Sequence, residues 1–244
     1  MLDAYPHARK LPRGALAGNR FAVRIRAASG DGAALAALLA PRLAQIGRSG
    51  VPNYFGPQRF GHEGANLARV SGDLDLRSLG RAERGFVLSA ARSVVFNAVL
   101  AERVRADSWD RLQAGDIANL DGRGRIFAVV AGAADLPNLS DLEARAARLE
   151  IHPTGPLWGQ GSPPSAAGVR ALELQVAARF PDESALCIAA GMRQERRSLR
   201  LAVEALRCEP EQQAVVLSFR LTRGGFATAV LRELIEPQSA ASST

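Results

Sequence analysis

Lysine is almost missing from this 244-residue chain: Lys10 is the only one among 31 basic residues, so nearly all of the positive charge is arginine. With no other lysine, no Gly-x-x-x-x-Gly-Lys-Ser/Thr phosphate loop can be written. Histidine is scarce as well. His7, His62 and His152 are scattered, and His62-Glu63 runs into Gly64-Ala65-Asn66 instead of the second histidine that would put two zinc ligands on one helical face. Cys187 and Cys208 are too far apart for a Cys-x-x-Cys site and too few for a disulfide framework, which fits a reducing cytoplasm. No Gly-x-Ser-x-Gly occurs, so no nucleophile elbow is offered. The first ten residues carry no apolar run of the signal-peptide kind, and no stretch reaches the roughly 18 uninterrupted apolar residues of a membrane span. A membrane association is therefore not expected, and neither is a metal site.

What is present suits a globular protein of one large or two modest domains. Hydrophobic residues make up 47% and charged residues 23%, enough for a sizeable core. The formal charge of +7 favours a polyanionic partner through attraction and counterion release. Aromatics are only 5% of the chain, yet three of them fall in Gly50 to Gly61, which reads Gly-Val-Pro-Asn-Tyr-Phe-Gly-Pro-Gln-Arg-Phe-Gly. Pro52, Gly56, Pro57 and Gly61 interrupt both helical and strand periodicity and predict a turning backbone. Asn53, Gln58 and Arg59 then offer donors beside the rings of Tyr54, Phe55 and Phe60. Such a loop suits stacked bases and phosphates, and equally a packed joint between two subdomains.

Along the chain, Phe21, Val23 and Ile25 alternate with Arg20, Arg24 and Arg26, the period of a half-buried strand. Asp31 can cap a helix over 33 to 46 that Pro41 is expected to kink or restart. Apolar positions 87, 90, 91, 94, 95, 98 and 99 predict one long helix over 81 to 106. Its Arg84 and Arg92 are candidates for phosphates, and Arg103 and Arg105 read as solvated surface. Residues 117 to 130 read as a hairpin across Asp121-Gly122-Arg123-Gly124, and Ser140 to Glu143 as a capping box opening a helix. The Pro- and Gly-rich segment 152 to 164 reads as an ordered loop around a packed Trp158. Helices are expected over 165 to 179 and 183 to 191. A strand at Leu199, Leu201 and Val203 should pair with one at Val215 to Leu221, followed by a helix from Ala227 to Ile235 and a disordered tail from Ser239.

Gly50 to Gly61 closely resembles the signature of the TruD family of tRNA pseudouridine synthases. Further segments resemble the family in the same order: Arg9-Lys10-Leu11 with Gly14-Ala15-Leu16, Gly18-Asn19-Arg20-Phe21, Leu88-Ser89-Ala90-Ala91-Arg92-Ser93 with Phe96-Asn97, and Gly225-Phe226-Ala227-Thr228 with Arg232-Glu233-Leu234-Ile235. The resemblance implies an α+β fold, a partial pseudouridine synthase core of mixed or antiparallel sheet with helices, interrupted by a mostly helical inserted domain. Residues 1–49 and 200–244 would supply the core and residues 50–199 the insertion. It further implies a cytoplasmic enzyme that uses no cofactor, has tRNA as partner and converts uridine 13 of the D-arm to pseudouridine.

The site residues it implies are Phe21, resembling the ring that stacks on the target base, Asn19 beside it, and Asn53, Tyr54, Phe55, Gln58, Arg59, Phe60 and Arg232 for RNA. The family's nucleophilic aspartate lies in a Gly-x-Lys-Asp segment, and this sequence contains no Lys-Asp pair. Asp73 and Asp75 fall in a polar loop, and Asp107, Asp110, Asp116 and Asp121 at helix ends or turns. The expectation is an N-terminally truncated chain, or one with a misassigned start, that binds tRNA and turns nothing over.

Overall fold

The computed structural model describes residues 17–28, 30–70, 74–130 and 139–235. The Arg9 to Leu16 matches, Asp73 and the tail from Ser239 lie outside them. Alternation gives what it predicts in the first strand, β1 (Gly18–Arg26), whose Phe21, Val23 and Ile25 are half-buried while Arg20, Arg24 and Arg26 are exposed. β1 pairs antiparallel with β9 (Ala214–Thr222), setting Phe21 opposite Phe219, Val23 opposite Leu217 and Ile25 opposite Val215. β8 (Glu204–Pro210) lies on the far side of β9, giving the order β1-β9-β8.

Helix α1 (Gly32–Ser49) crosses this sheet. The Asp31 carboxylate accepts from the amides of Ala33 at 2.9 Å and Ala34 at 3.0 Å, satisfying two donors that a helix start leaves open. Pro41 lies inside one continuous helix, so the helix does not restart there. It lies on the exposed face with Ala37, so the carbonyl it deprives of a partner is open to water. Helix α7 (Ala227–Arg232) joins Ile46, Val51, Leu201, Leu217, Phe219 and Leu221 in one core through Ala229 and Val230.

Residues between these parts build around α3 (Arg81–Arg105), where the wide apolar stripe is buried at Val87, Ala91, Val95, Phe96, Val99 and Leu100. Helices α5 (Ala167–Ala177) and α6 (Pro181–Ala189) pack against it, with the short α2 (Ala65–Ala68) before it, while α4 (Leu139–Ala147) packs on the strand at 151–157. Beside the helices stands a four-stranded sheet, β4-β3-β5-β6, made of β3 (Ile117–Leu120), β4 (Ile126–Ala128), β5 (Ile151–Leu157) and β6 (Glu195–Ser198). A further short pair, β2 (Val51–Pro52) with β7 (Arg200–Leu201), ties the two halves of the chain together.

Four expectations are corrected. Residues 151–157 form strand β5 where a loop was expected. The strand divides its partners, β3 against its first half and β6 against its second, and both faces are buried, which erases alternation. Gly155 is required there because a Cβ would stand 2.9 Å from Leu199 and 3.1 Å from the Phe96 ring. The partner of β9 begins at Glu204, not at Leu199. Helix α7 stops at Arg232. Lastly, Arg92 and Arg103 are interior. Arg103 pairs with Asp116 at 2.9 Å with both side chains at most 3% exposed, and it donates to the carbonyls of Ser108 and Arg111. Arg92 donates to Glu195 and to the carbonyls of Leu157 and Arg193. Arg196 is likewise buried on Glu173, and Arg200 on His152, Ala146 and Ile151. These four arginines thus work inside the fold.

Candidate nucleic-acid interface

The turn from Gly50 to Gly61 is fixed residue by residue. Gly50 ends α1 at φ 70°, and a Cβ there would meet the Leu201 carbonyl at 2.4 Å, so only glycine lets β2 reach β7. Asn53 is buried. Its amide nitrogen donates to the Ser198 carbonyl at 2.8 Å and its oxygen accepts from Arg197 at 2.6 Å. Asn97, on α3, clamps the Phe55 backbone at both ends: Oδ1 accepts from the Phe55 amide and Nδ2 donates to its carbonyl, each at 2.9 Å. Gly56 lets Thr228 of α7 approach, its imagined Cβ lying 3.0 Å from Oγ1. Pro57 to Phe60 then make one 3-10 turn.

Phe55 is the hub. Its ring meets Phe96 edge-on at 5.4 Å and Phe226 at 6.2 Å. The Arg197 guanidinium lies 4.2 Å from its centroid and that of Arg59 lies 4.9 Å away, and both cations are 5.7 Å from Phe226. Arg59 also donates to Ser89 at 2.7 Å. Among the described residues neither guanidinium forms an ion pair. Burial, with Arg59 beside it, pushes Arg197 down to about 10, and its Nε has no partner. Two cations sharing two rings with no carboxylate are short of an anion. The ring faces offset only part of that cost.

Arg197 opens onto a cleft of about 470 Å³ between the β3–β4 turn and the turn from β9 to α7. Arg123 and Arg223 stand on those two turns, and Asp121 is its one carboxylate among the described residues. Asp121 accepts from His152 at 2.9 Å, while Arg200 donates to the other ring nitrogen at 3.0 Å. That arrangement requires the neutral ring with its proton on Nε2, and burial lowers the His152 pKa in the same direction.

The remaining expected residues fall in three places. Tyr54 is half-buried under Arg232, whose guanidinium is 4.6 Å from its ring, and burial raises the Tyr54 pKa. Gln58 is exposed at the rim beside Arg59, and Phe60 packs into the Phe55 cluster. Asn19 and Phe21 stand apart on edge strand β1. Asn19 is exposed, and the Phe21 ring stacks on Phe219 at 5.4 Å and 28° beside a cavity of about 560 Å³. Among the described residues Glu204 is the only carboxylate lining that cavity, and it pairs with Arg220 at 3.5 Å. Among the described residues no three histidine, cysteine or acidic side chains are grouped to hold a metal. Sequence reasoning missed Arg197, because one arginine among the several between Arg193 and Arg200 carries no local mark of what its strand faces.

The sequence model described as tRNA pseudouridine synthase D (TruD) matches residues 1–79 and 75–234 of the chain. A tRNA pseudouridine synthase D of Nitrosococcus oceani is 44% identical over 246 residues, covering 98% of this chain and 65% of that protein. One of Pseudomonas aeruginosa is 45% identical over 233 residues, covering 94% and 62%. The chain thus spans a little under two thirds of the length of these relatives. Among solved structures, a putative tRNA pseudouridine synthase D from Methanosarcina mazei superposes with a TM-score of 0.69 at 20% identity, covering 91% of this chain and 69% of that one, which shows the shared fold.

Proposed function

Because the chain belongs to the tRNA pseudouridine synthase D family, we propose that it supplies the tRNA-holding cleft and the base-stacking strand of an enzyme that isomerises uridine 13 of the D-arm to pseudouridine in the cytoplasm. We propose also that these 244 residues hold tRNA without turning it over. The observation that carries the first part is the Arg59 and Arg197 pair, two guanidinium groups over shared rings with no carboxylate of their own. A phosphodiester supplies the missing charge, and the rings hold both cations in place before it arrives.

The chemistry exchanges one bond for another. The glycosidic bond from C1′ to N1 breaks, a bond from C1′ to C5 forms, C5 gives up its proton and N1 gains one. Atoms and electrons balance without an oxidant or co-substrate. A carboxylate must attack or stabilise the detached fragment, and a ring must keep the loosened base from leaving. Phe21 suits the role of that ring, since it is half-buried on Phe219 and so fixed in orientation, with one side on a cavity. For the carboxylate there is no such candidate, because no described aspartate lines that cavity and no Lys-Asp pair occurs in the sequence.

The test is tRNA binding measured across salt concentrations, with chemical footprinting of the bound tRNA. Protection centred on the D-arm is expected; protection confined to another arm would sink the uridine 13 reading. Arg59→Ala should weaken binding and reduce the slope of log affinity against log salt by about one, the mark of one lost phosphate contact. Unchanged affinity and slope would return the loop to a joint between subdomains.

A further inference from the structure

We infer that the cavity of about 560 Å³ beside Arg59 is a second nucleotide pocket, taking an unstacked base of the bound RNA other than the one held at Phe21. The inference rests on the chain binding RNA. Phe86 is its first support. On α3 the neighbouring Val87 and Ala90 are fully buried, yet Phe86 is 60% exposed, the one aromatic ring among the large exposed apolar side chains of the described residues. One turn on, Ser89 lines the same cavity and holds Arg59. An exposed ring at the mouth of a cavity invites a flat apolar ligand.

The other walls specify which kind. Phe226, just before α7, offers a second ring. Gln58 and Asn66 each present a side-chain amide with both donor and acceptor capacity, and neither side chain bonds to another described residue. Base edges need that pairing of donor with acceptor, whereas a purely apolar peptide side chain would leave both amides unsatisfied. Among the described residues no carboxylate lines the cavity, and Arg59 supplies a cation for the phosphate that accompanies the base. The volume lies in the range of small-molecule sites and accommodates a nucleotide. The cavity shares no lining residue with the one at Phe21, so the two hold different nucleotides.

The experiment measures the affinity of the 244-residue chain for unmodified tRNA with Phe86→Ala, Phe86→Tyr and Phe86→Trp. Phe86 is exposed, so all three should fold as the parent does. Phe86→Ala is expected to bind about tenfold more weakly with an unchanged salt slope, because a stacked base is lost and no phosphate contact goes with it. Phe86→Tyr and Phe86→Trp should bind as the parent does, and tRNA should quench the emission of the new indole. Parent affinity in Phe86→Ala, an equal loss in Phe86→Tyr, or indole emission indifferent to tRNA would overturn the pocket. If Arg197→Met, on the cleft and outside this cavity, still weakens binding in those cases, the cleft stands and only the pocket falls. If the parent chain binds no tRNA, the broader reading fails with it.

Discussion

Replacing Arg197 by methionine is expected to weaken tRNA binding roughly thirtyfold or more and to leave the free protein as stable as before, or more so. Losing one partner of a desolvated, hydrogen-bonded charge pair costs about 2 to 5 kcal/mol of binding. In the free protein the balance runs the other way. The Arg197 guanidinium is held by Asn53, by the Gly224 carbonyl at 3.3 Å and by the face of Phe55, with no carboxylate to repay its desolvation. Exchanging such a group for an apolar chain of similar length removes the desolvation of an unpaired cation, which offsets the loss of the donor to the Asn53 oxygen. A chemical denaturation curve and a salt-dependent binding isotherm on the same variant separate the two effects. Unchanged affinity with a loss of several kcal/mol in stability would make Arg197 a structural clamp and remove the anion argument.

The opposite pattern is expected for Asp116. Its carboxylate takes two bonds from Arg103 and one from the Gln113 amide at 2.7 Å, and it is fully buried. Asp116→Ala leaves a buried guanidinium without its counter-charge and should cost about 3 to 5 kcal/mol of stability. Arg103 also gathers the carbonyls of Ser108 and Arg111, so the turn from α3 into β3 should loosen with it. Joining Asp116→Leu to Arg103→Met should recover much of the loss, since neither charge is then buried alone. A single-variant loss below about 1 kcal/mol would show that water reaches the site.

These two arginines show what can and cannot be read from the sequence. Both belong to an arginine-rich chain, and spacing alone put Arg103 on the surface and left Arg197 unremarked. A guanidinium reveals its role only through the carboxylate it finds or fails to find, and those partners come from distant positions: Asp116 across a turn, and for Arg197 none among the described residues. Local periodicity worked where one face is wet. Strand β1 follows it because only one face is buried, and helix α3 keeps the helical period although residues such as Arg92, Ser93 and Arg103 are buried outside the apolar stripe. It failed at β5, where burial on both faces and two prolines look like a loop, and at Pro41, where solvent on the outer face lets a proline ride inside a helix. The turn from Gly50 to Gly61 was legible as a turn, and its contacts with Asn97, Ser89 and Thr228 were not, since each partner sits on another element.

Whether these residues hold a nucleophile is settled by one reaction. Incubate the 244-residue chain in excess over unmodified tRNA, under conditions where the tRNA is bound, and map pseudouridine along it. The expected result is bound tRNA with no pseudouridine at position 13 or elsewhere. Positioning a carboxylate against the base supplies a large share of the rate, and Glu204, the one carboxylate among the described residues that line the Phe21 cavity, is tied to Arg220. Pseudouridine at position 13 would contradict that expectation, and would turn attention to Asp121, the aspartate that His152 holds at the edge of the arginine-lined cleft.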